Sequence, residues 1–189
     1  MEKIKIDTSA ALLYPMPMVL VGSVVGGKSN FMAVGWVSRV NFKPPLFAIA
    51  LGPHHTNEGI EENREFSINI PDVSLMEKTD YCGLVTGKNT DKSEIFTVFF
   101  GELGHAPLIR ECPVCISFSL FDTVQLPSNT LYIGEVKEVF TEKSYMTENL
   151  LDIKKVNPFT LTMPDNHYWS VGENLGKAWS IGKNLKKTS

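Results

Sequence analysis

Cysteine is scarce in this sequence. Cys82, Cys112 and Cys115 are the only ones among 189 residues. Three is an odd number and makes no disulfide framework, so the chain reads as cytoplasmic. No apolar run approaches the roughly 20 residues that cross a bilayer, and Met1-Glu2-Lys3-Ile4-Lys5 has no apolar signal core, so no membrane association is expected. An N-x-[ST] acceptor is missing as well. The formal net charge of −3 argues against a dominant nucleic-acid surface. Cys112-Pro113-Val114-Cys115 matches C-x-x-C, but neither a second such pair nor a His pair at ligand spacing accompanies it, so no metal site is expected. Cys115 reads instead as part of a strand. The dinucleotide fingerprint G-x-G-x-x-G is also absent.

What is present suffices for a substantial core. With 43% hydrophobic and 21% charged residues, positions 1–189 read as one globular domain. Val19–Val25 is a β-branched run, Gly26-Gly27-Lys28-Ser29 can turn the chain, and 30–36 resumes an extended segment, which together describe a hairpin. The spacing leaves 37–43 irregular and makes Leu46–Leu51 a buried strand. A helix is expected from an N-cap at Thr56 through Glu65, then a strand over 66–70 and a helix over 74–84. Strands follow at 114–124 and 131–141, a helix at 145–155 and a final strand at 159–163. The fold class is mainly β, a β-barrel with a few helices.

One motif competes with the hairpin. Gly22-Ser23-Val24-Val25-Gly26-Gly27-Lys28-Ser29 fits G-x-x-x-x-G-K-[ST], the phosphate loop of nucleotide-binding proteins. Such a loop must open a helix at its lysine, and the residues after Lys28 include a glycine, valines and two aromatics, so the hairpin is preferred. The phosphate-loop alternative would lose nucleotide binding on Lys28→Ala. A second place for an anion is His54-His55-Thr56-Asn57, where a strand ends and a helix begins. Unpaired N–H groups and the helix dipole favour negative charge there.

Several segments taken together resemble the flavin reductase-like, FMN-binding split-barrel family, and within it the flavoredoxins. They are Asn30-Phe31-Met32-Ala33-Val34-Gly35-Trp36, Pro44-Pro45-Leu46, Thr56 with Glu58 and Ile60, and Asn69-Ile70-Pro71. Cys82-Gly83 with Gly87, Asp91 and Lys92 is similar to a further family element, as is Tyr168-Trp169-Ser170-Val171-Gly172-Glu173.

The resemblance implies a split barrel that binds FMN and an NAD(P)H:flavin oxidoreductase-like activity, with NADH or NADPH as co-substrate. It also implies a homodimer and a redox partner protein. An FMN carrier without its own nicotinamide oxidation is the alternative. By resemblance, 30–36 lies along the flavin: Asn30, Phe31, Met32, Ala33, Val34 and Gly35 contribute to its pocket, with Ala33 where a family threonine is common. His54, His55, Thr56 and Asn57 hold the phosphate, Gly87 and Lys92 support it, and Tyr168 lies nearby. No catalytic residue is implied, because hydride transfer needs no protein acid or base and the cofactor carries the chemistry.

Overall fold

The computed structural model describes residues 1–185. Among the described residues the main sheet has seven strands. They are β1 (Val19–Val25), β2 (Lys28–Val34), β3 (Val37–Asn41), β4 (Leu46–Leu51), β5 (Glu65–Ile70), β6 (Val114–Gln125) and β7 (Thr130–Thr141). Their spatial order is β2-β1-β5-β6-β7-β4-β3. The two edges, β2 and β3, are consecutive in the chain and separated only by Gly35 and Trp36. A sheet whose edges are joined by two residues must curl until those edges meet at one end. That curl makes the split barrel. The Ala50 amide donates to the Trp36 carbonyl at 3.0 Å, holding the junction against β4.

The β1–β2 hairpin forms with Val25 opposite Lys28 and Gly26 and Gly27 at φ +55° and +78°. Both central residues take positive φ, as a tight two-residue turn requires. No helix opens at Lys28, which is exposed and begins a strand. The phosphate-loop alternative therefore fails. Inside the barrel, Phe66 and Phe118 stack with centroids 4.9 Å apart. Gly134 makes room for them, since a Cβ there would stand 2.4 Å from Phe66 Cζ. A second core, outside the barrel, gathers Leu20, Phe31, Cys82, Phe96 and Leu108.

Several expectations are corrected. Positions 37–41 form an edge strand, β3, whose nearly continuous exposure hid it from an apolar pattern. Helix α1 runs His55–Asn63, not from Thr56 to Glu65. His54 occupies the N-cap without a side-chain bond, and Arg64 ends the helix in the left-handed region at φ 58°. The segment 145–155 is largely not helical. It turns sharply at Glu148 and Asn149, both at positive φ, between two short strands, Met146–Thr147 and Leu150–Leu151. A four-residue helix, α2 (Ile153–Val156), follows. Strand β8 (Phe159–Thr162) is not the last. It pairs with β9 (His167–Ser170) and with Met16–Pro17 in a small separate sheet.

The helix expected over 74–84 is a short 3-10 turn at Val73–Leu75 followed by an α-helix at Met76–Leu84, called the covering helix below because it packs across β2. All three cysteines are free and buried. Burial pushes the Cys82 thiol up to about 11 and Cys115 to about 12, and holds Cys112 well above the usual thiol range. The thiolate is the reactive form. At mildly alkaline pH a thiol-reactive disulfide reagent should therefore label none of the three in the folded protein and all three after denaturation. Rapid labelling of Cys112 or Cys115 in the folded state would point instead to a reactive C-x-x-C thiol pair.

Candidate functional site

At one end of the barrel, β2, the start of α1 and the end of the covering helix enclose a cleft of about 230 Å³. Its chemistry suits an anion. Lys92 is only 4% exposed, and its ammonium donates to the Cys82 carbonyl at 2.9 Å. An ammonium carries three donors, so two remain. Burial lowers its pKa, opposed by the charge interaction with Cys82. Asp91 fixes the turn that carries it, with Oδ1 accepting from the Ser93 amide at 3.0 Å and hydroxyl at 2.6 Å.

Across the cleft the Thr56 hydroxyl accepts from Asn30 Nδ2 at 2.7 Å, which leaves its own hydrogen free to donate. Thr56 lies inside the first turn of α1, where N–H groups lack helical partners. Asn30 is 5% exposed, yet its Oδ1 has no partner. A buried acceptor left unpaired is costly, so the cleft calls for a ligand that brings a donor as well as an anion. Gly87 forms the floor. A Cβ there would stand 2.1 Å from Asn30 Oδ1 and 3.0 Å from His55 Cδ2. Gly87→Ala is expected to weaken ligand binding by at least about tenfold, with little change in melting temperature, because the methyl displaces the Asn30 amide into the ligand's space. Parallel ligand titration and thermal melts would check this.

The cleft continues past Met32, Ala33 and His54 into a slot of about 350 Å³ between β2 and β4. Met32, Val34 and Trp36 lie on one side, Ala50 and Leu51 on the other, with Met16, Leu161 and Met163 of the small sheet closing it. Because β2 is an edge strand, alternate N–H and C=O groups along it have no strand partner and can face a ligand. A flat ring with polar edges suits such a slot. Two further clefts adjoin. One, of about 590 Å³, is polar and includes Glu58 and Glu61. The other, of about 620 Å³, is an apolar groove between residues 11–17 and Trp36, Val37 and Val40.

The structure gathers Asn30, Met32, Ala33, His54, His55, Thr56, Gly87 and Lys92 around the anion cleft. Val34 and Gly35 line the slot. Three expected residues lie elsewhere. Phe31 points away into the second core, where its ring meets Phe96 edge-on at 5.5 Å, since neighbouring residues of a strand face opposite sides. Asn57 lines the polar cleft and donates to the Gly52 carbonyl at 2.9 Å. Tyr168 lines none of these clefts. Its hydroxyl donates to Asp80 Oδ1 at 2.7 Å and ties β9 to the covering helix. Burial, and then the Asp80 hydrogen bond, push that phenol up to about 12.

Sequence reasoning missed Leu84 and Val85 and the small-sheet residues Met16, Leu161 and Met163. They lie outside every motif, and only the tertiary fold brings them in, whereas Cys82 and Gly83 belong to a family element that assigned them no place in the pocket. Among the described residues no group of three or more His, Cys, Asp or Glu is placed to hold a metal ion.

The fold and cleft define a class: a split barrel with a lysine-bearing cleft at one end beside an edge-strand slot. Residues 11–159 match the model of the flavin reductase like domain, and the chain belongs to that family. Flavoredoxin from Methanosarcina acetivorans is 46% identical. Its structure superposes with a TM-score of 0.95, over 98% of this chain and 100% of that one. Flavoredoxin of Desulfovibrio vulgaris (Miyazaki F) is 33% identical, with a TM-score of 0.87 over 95% and 100% of the two chains. An uncharacterized protein of Aeropyrum pernix is 29% identical over 147 residues, which is 75% of this chain and 55% of that protein. The chain thus spans about half the length of that relative.

Proposed function

We propose that this protein binds FMN and works as an oxidoreductase of the flavoredoxin/flavin reductase type, taking electrons from NADH or NADPH and passing them to an acceptor. The observation that carries the reading is the anion cleft, where buried Lys92, the Thr56 hydroxyl and the α1 N-terminus converge above Gly87. The residues fit the group. Lys92 and the α1 amides suit a phosphate, and the orphan Asn30 Oδ1 suits a hydroxyl of the sugar chain next to it. The apolar slot along β2 suits the ring, with strand amides and carbonyls at its polar edge. When bound, FMN supplies the electron-accepting chemistry. The chain's own residues hold the phosphate, shield the ring from water and orient it.

The flavoredoxin neighbours support the choice of cofactor. The apolar groove beside Trp36 and Val40 supports a homodimer, and the reading extends to a single domain acting in the cytoplasm. A carrier without its own nicotinamide oxidation differs only in the donor step. The first test is to purify the protein without added cofactor, record its visible spectrum and identify released ligand by chromatography. A yellow preparation releasing FMN supports the proposal. A colourless protein that also fails to take up added FMN overturns it. Steady-state oxidation of NADH or NADPH then separates enzyme from carrier.

A further inference from the structure

The polar cleft adjoining the slot is not used by the FMN reading. It opens from the slot past Leu51, Gly52, His54 and Asn129, which line both. Its walls carry two carboxylates, Glu58 and Glu61, and one ammonium, Lys88. Glu58 spans two partners, His55 Nδ1 at 3.1 Å and Lys88 Nζ at 3.4 Å. That pairing leaves Lys88 already neutralised. Glu61 is held differently. Tyr132, whose ring is fully buried in the barrel, donates its hydroxyl to Glu61 Oε1 and fixes the carboxylate at the cleft wall. Glu61 Oε2 has no donor among the described residues. Asn57 Oδ1, in the same wall, is buried without a partner. The cleft therefore presents a carboxylate held in place by Tyr132 with one oxygen open to a donor, and among the described residues no arginine lines it.

We propose that this cleft takes the adenosine-side ribose of the nicotinamide dinucleotide as a free 2′,3′-diol, which makes the protein selective for NADH over NADPH. This rests on the proposed donor reading. A vicinal diol offers two O–H donors to a fixed carboxylate, the pairing that acidic residues make with the ribose of NAD elsewhere. A 2′-phosphate would bring about two negative charges against Glu58 and Glu61, with the paired Lys88 the one lysine or arginine among the described residues that line the cleft. At a partly solvated site and moderate salt that repulsion corresponds to about tenfold in affinity.

Calorimetric titration of the FMN-loaded protein with ADP-ribose and with its 2′-phosphorylated form tests this without relying on turnover. The expected result is saturable ADP-ribose binding, at least about tenfold tighter than the phosphorylated form at low salt. Glu58→Arg should bring the two to parity or invert them. Glu61→Gln should weaken ADP-ribose itself, and a thermal melt checks that it folds. If Glu61→Gln does not fold, the Glu58→Arg comparison decides. Equal binding of the two ligands by the native protein overturns the inference, as does tighter binding of the phosphorylated one, no binding of ADP-ribose, or a ratio unmoved by Glu58→Arg. A protein that takes up no FMN overturns the proposed function itself. A protein that takes up FMN but fails the ligand comparison overturns only this inference.

Discussion

Lys92→Met should weaken FMN binding by about 10- to 150-fold while leaving the ligand-free protein as stable as before or more so. The two halves of this expectation come from one fact, the burial of an ammonium that has a single hydrogen-bond partner among the described residues. A charge-assisted hydrogen bond contributes about 1.5–3 kcal/mol, which sets the affinity range. Before ligand binds, the same charge sits in a cleft that desolvates it, and methionine of similar length removes that cost. The pH dependence follows the same sign. Burial holds the folded-state pKa of Lys92 below its unfolded value. In the window between the two, the unfolded chain binds more protons, so the ligand-free protein gains stability as pH rises through that window. Lys92→Met should flatten that gain. Fluorescence titration with FMN and melts across alkaline pH read both quantities. A variant that melts several degrees lower with FMN affinity unchanged would make Lys92 a structural anchor for the Cys82 carbonyl and remove it from the ligand site.

Lys92 also marks the limit of what the sequence could say. Flanked by Asp91 and Ser93 in a polar loop, it looks like any solvated lysine. Its burial comes from the end of the covering helix and from β2, segments that only the fold brings over it. The Asn30–Thr56 bond joins residues 26 apart, and the Tyr168–Asp80 bond residues 88 apart, so neither leaves a local pattern. What could be read was local. The Val19–Val25 run, the Gly26-Gly27 turn and the Pro44-Pro45 break announce the hairpin and β4 directly. Strand β3 is a solvent-facing edge, so it lacks the alternation that marks a half-buried strand. The placement of Phe31 is legible in the strand period. A period of two puts it on the face opposite Asn30 and Met32, where its ring joins the second core. The motif pointed to β2 and α1, which line the candidate cleft. Strand geometry then decides which of its residues can point into it.

The α1 end of the site depends on one glycine, and Gly59→Ala should show it. On an exposed helix that change is stabilising by about 0.8–1 kcal/mol, because alanine loses less backbone freedom. Here the sign reverses. A Cβ at Gly59 would stand 2.2 Å from the Val24 carbonyl oxygen and 2.5 Å from Ser23 Oγ. The first of these is strand backbone and cannot swing away as a side chain can. Asn63 Nδ2 also donates to the Val24 carbonyl at 2.8 Å, so the helix has little freedom to slide along β1. It must therefore lift. Overpacking of this kind costs about 1–3 kcal/mol, net of the propensity gain, and each kcal/mol lowers the melting temperature by about 2–4 °C in a chain of this size. Lifting α1 carries His55 and Thr56 with it and separates the Thr56 hydroxyl from Asn30, so FMN affinity should fall along with stability. Gly104→Ala is the control, since a Cβ there meets nothing within 4 Å. A Gly59→Ala protein that melts as high as the parent would show that α1 is not wedged against β1. If it melts lower but binds FMN unchanged, the α1 N-terminus would be shown to hold no part of the phosphate.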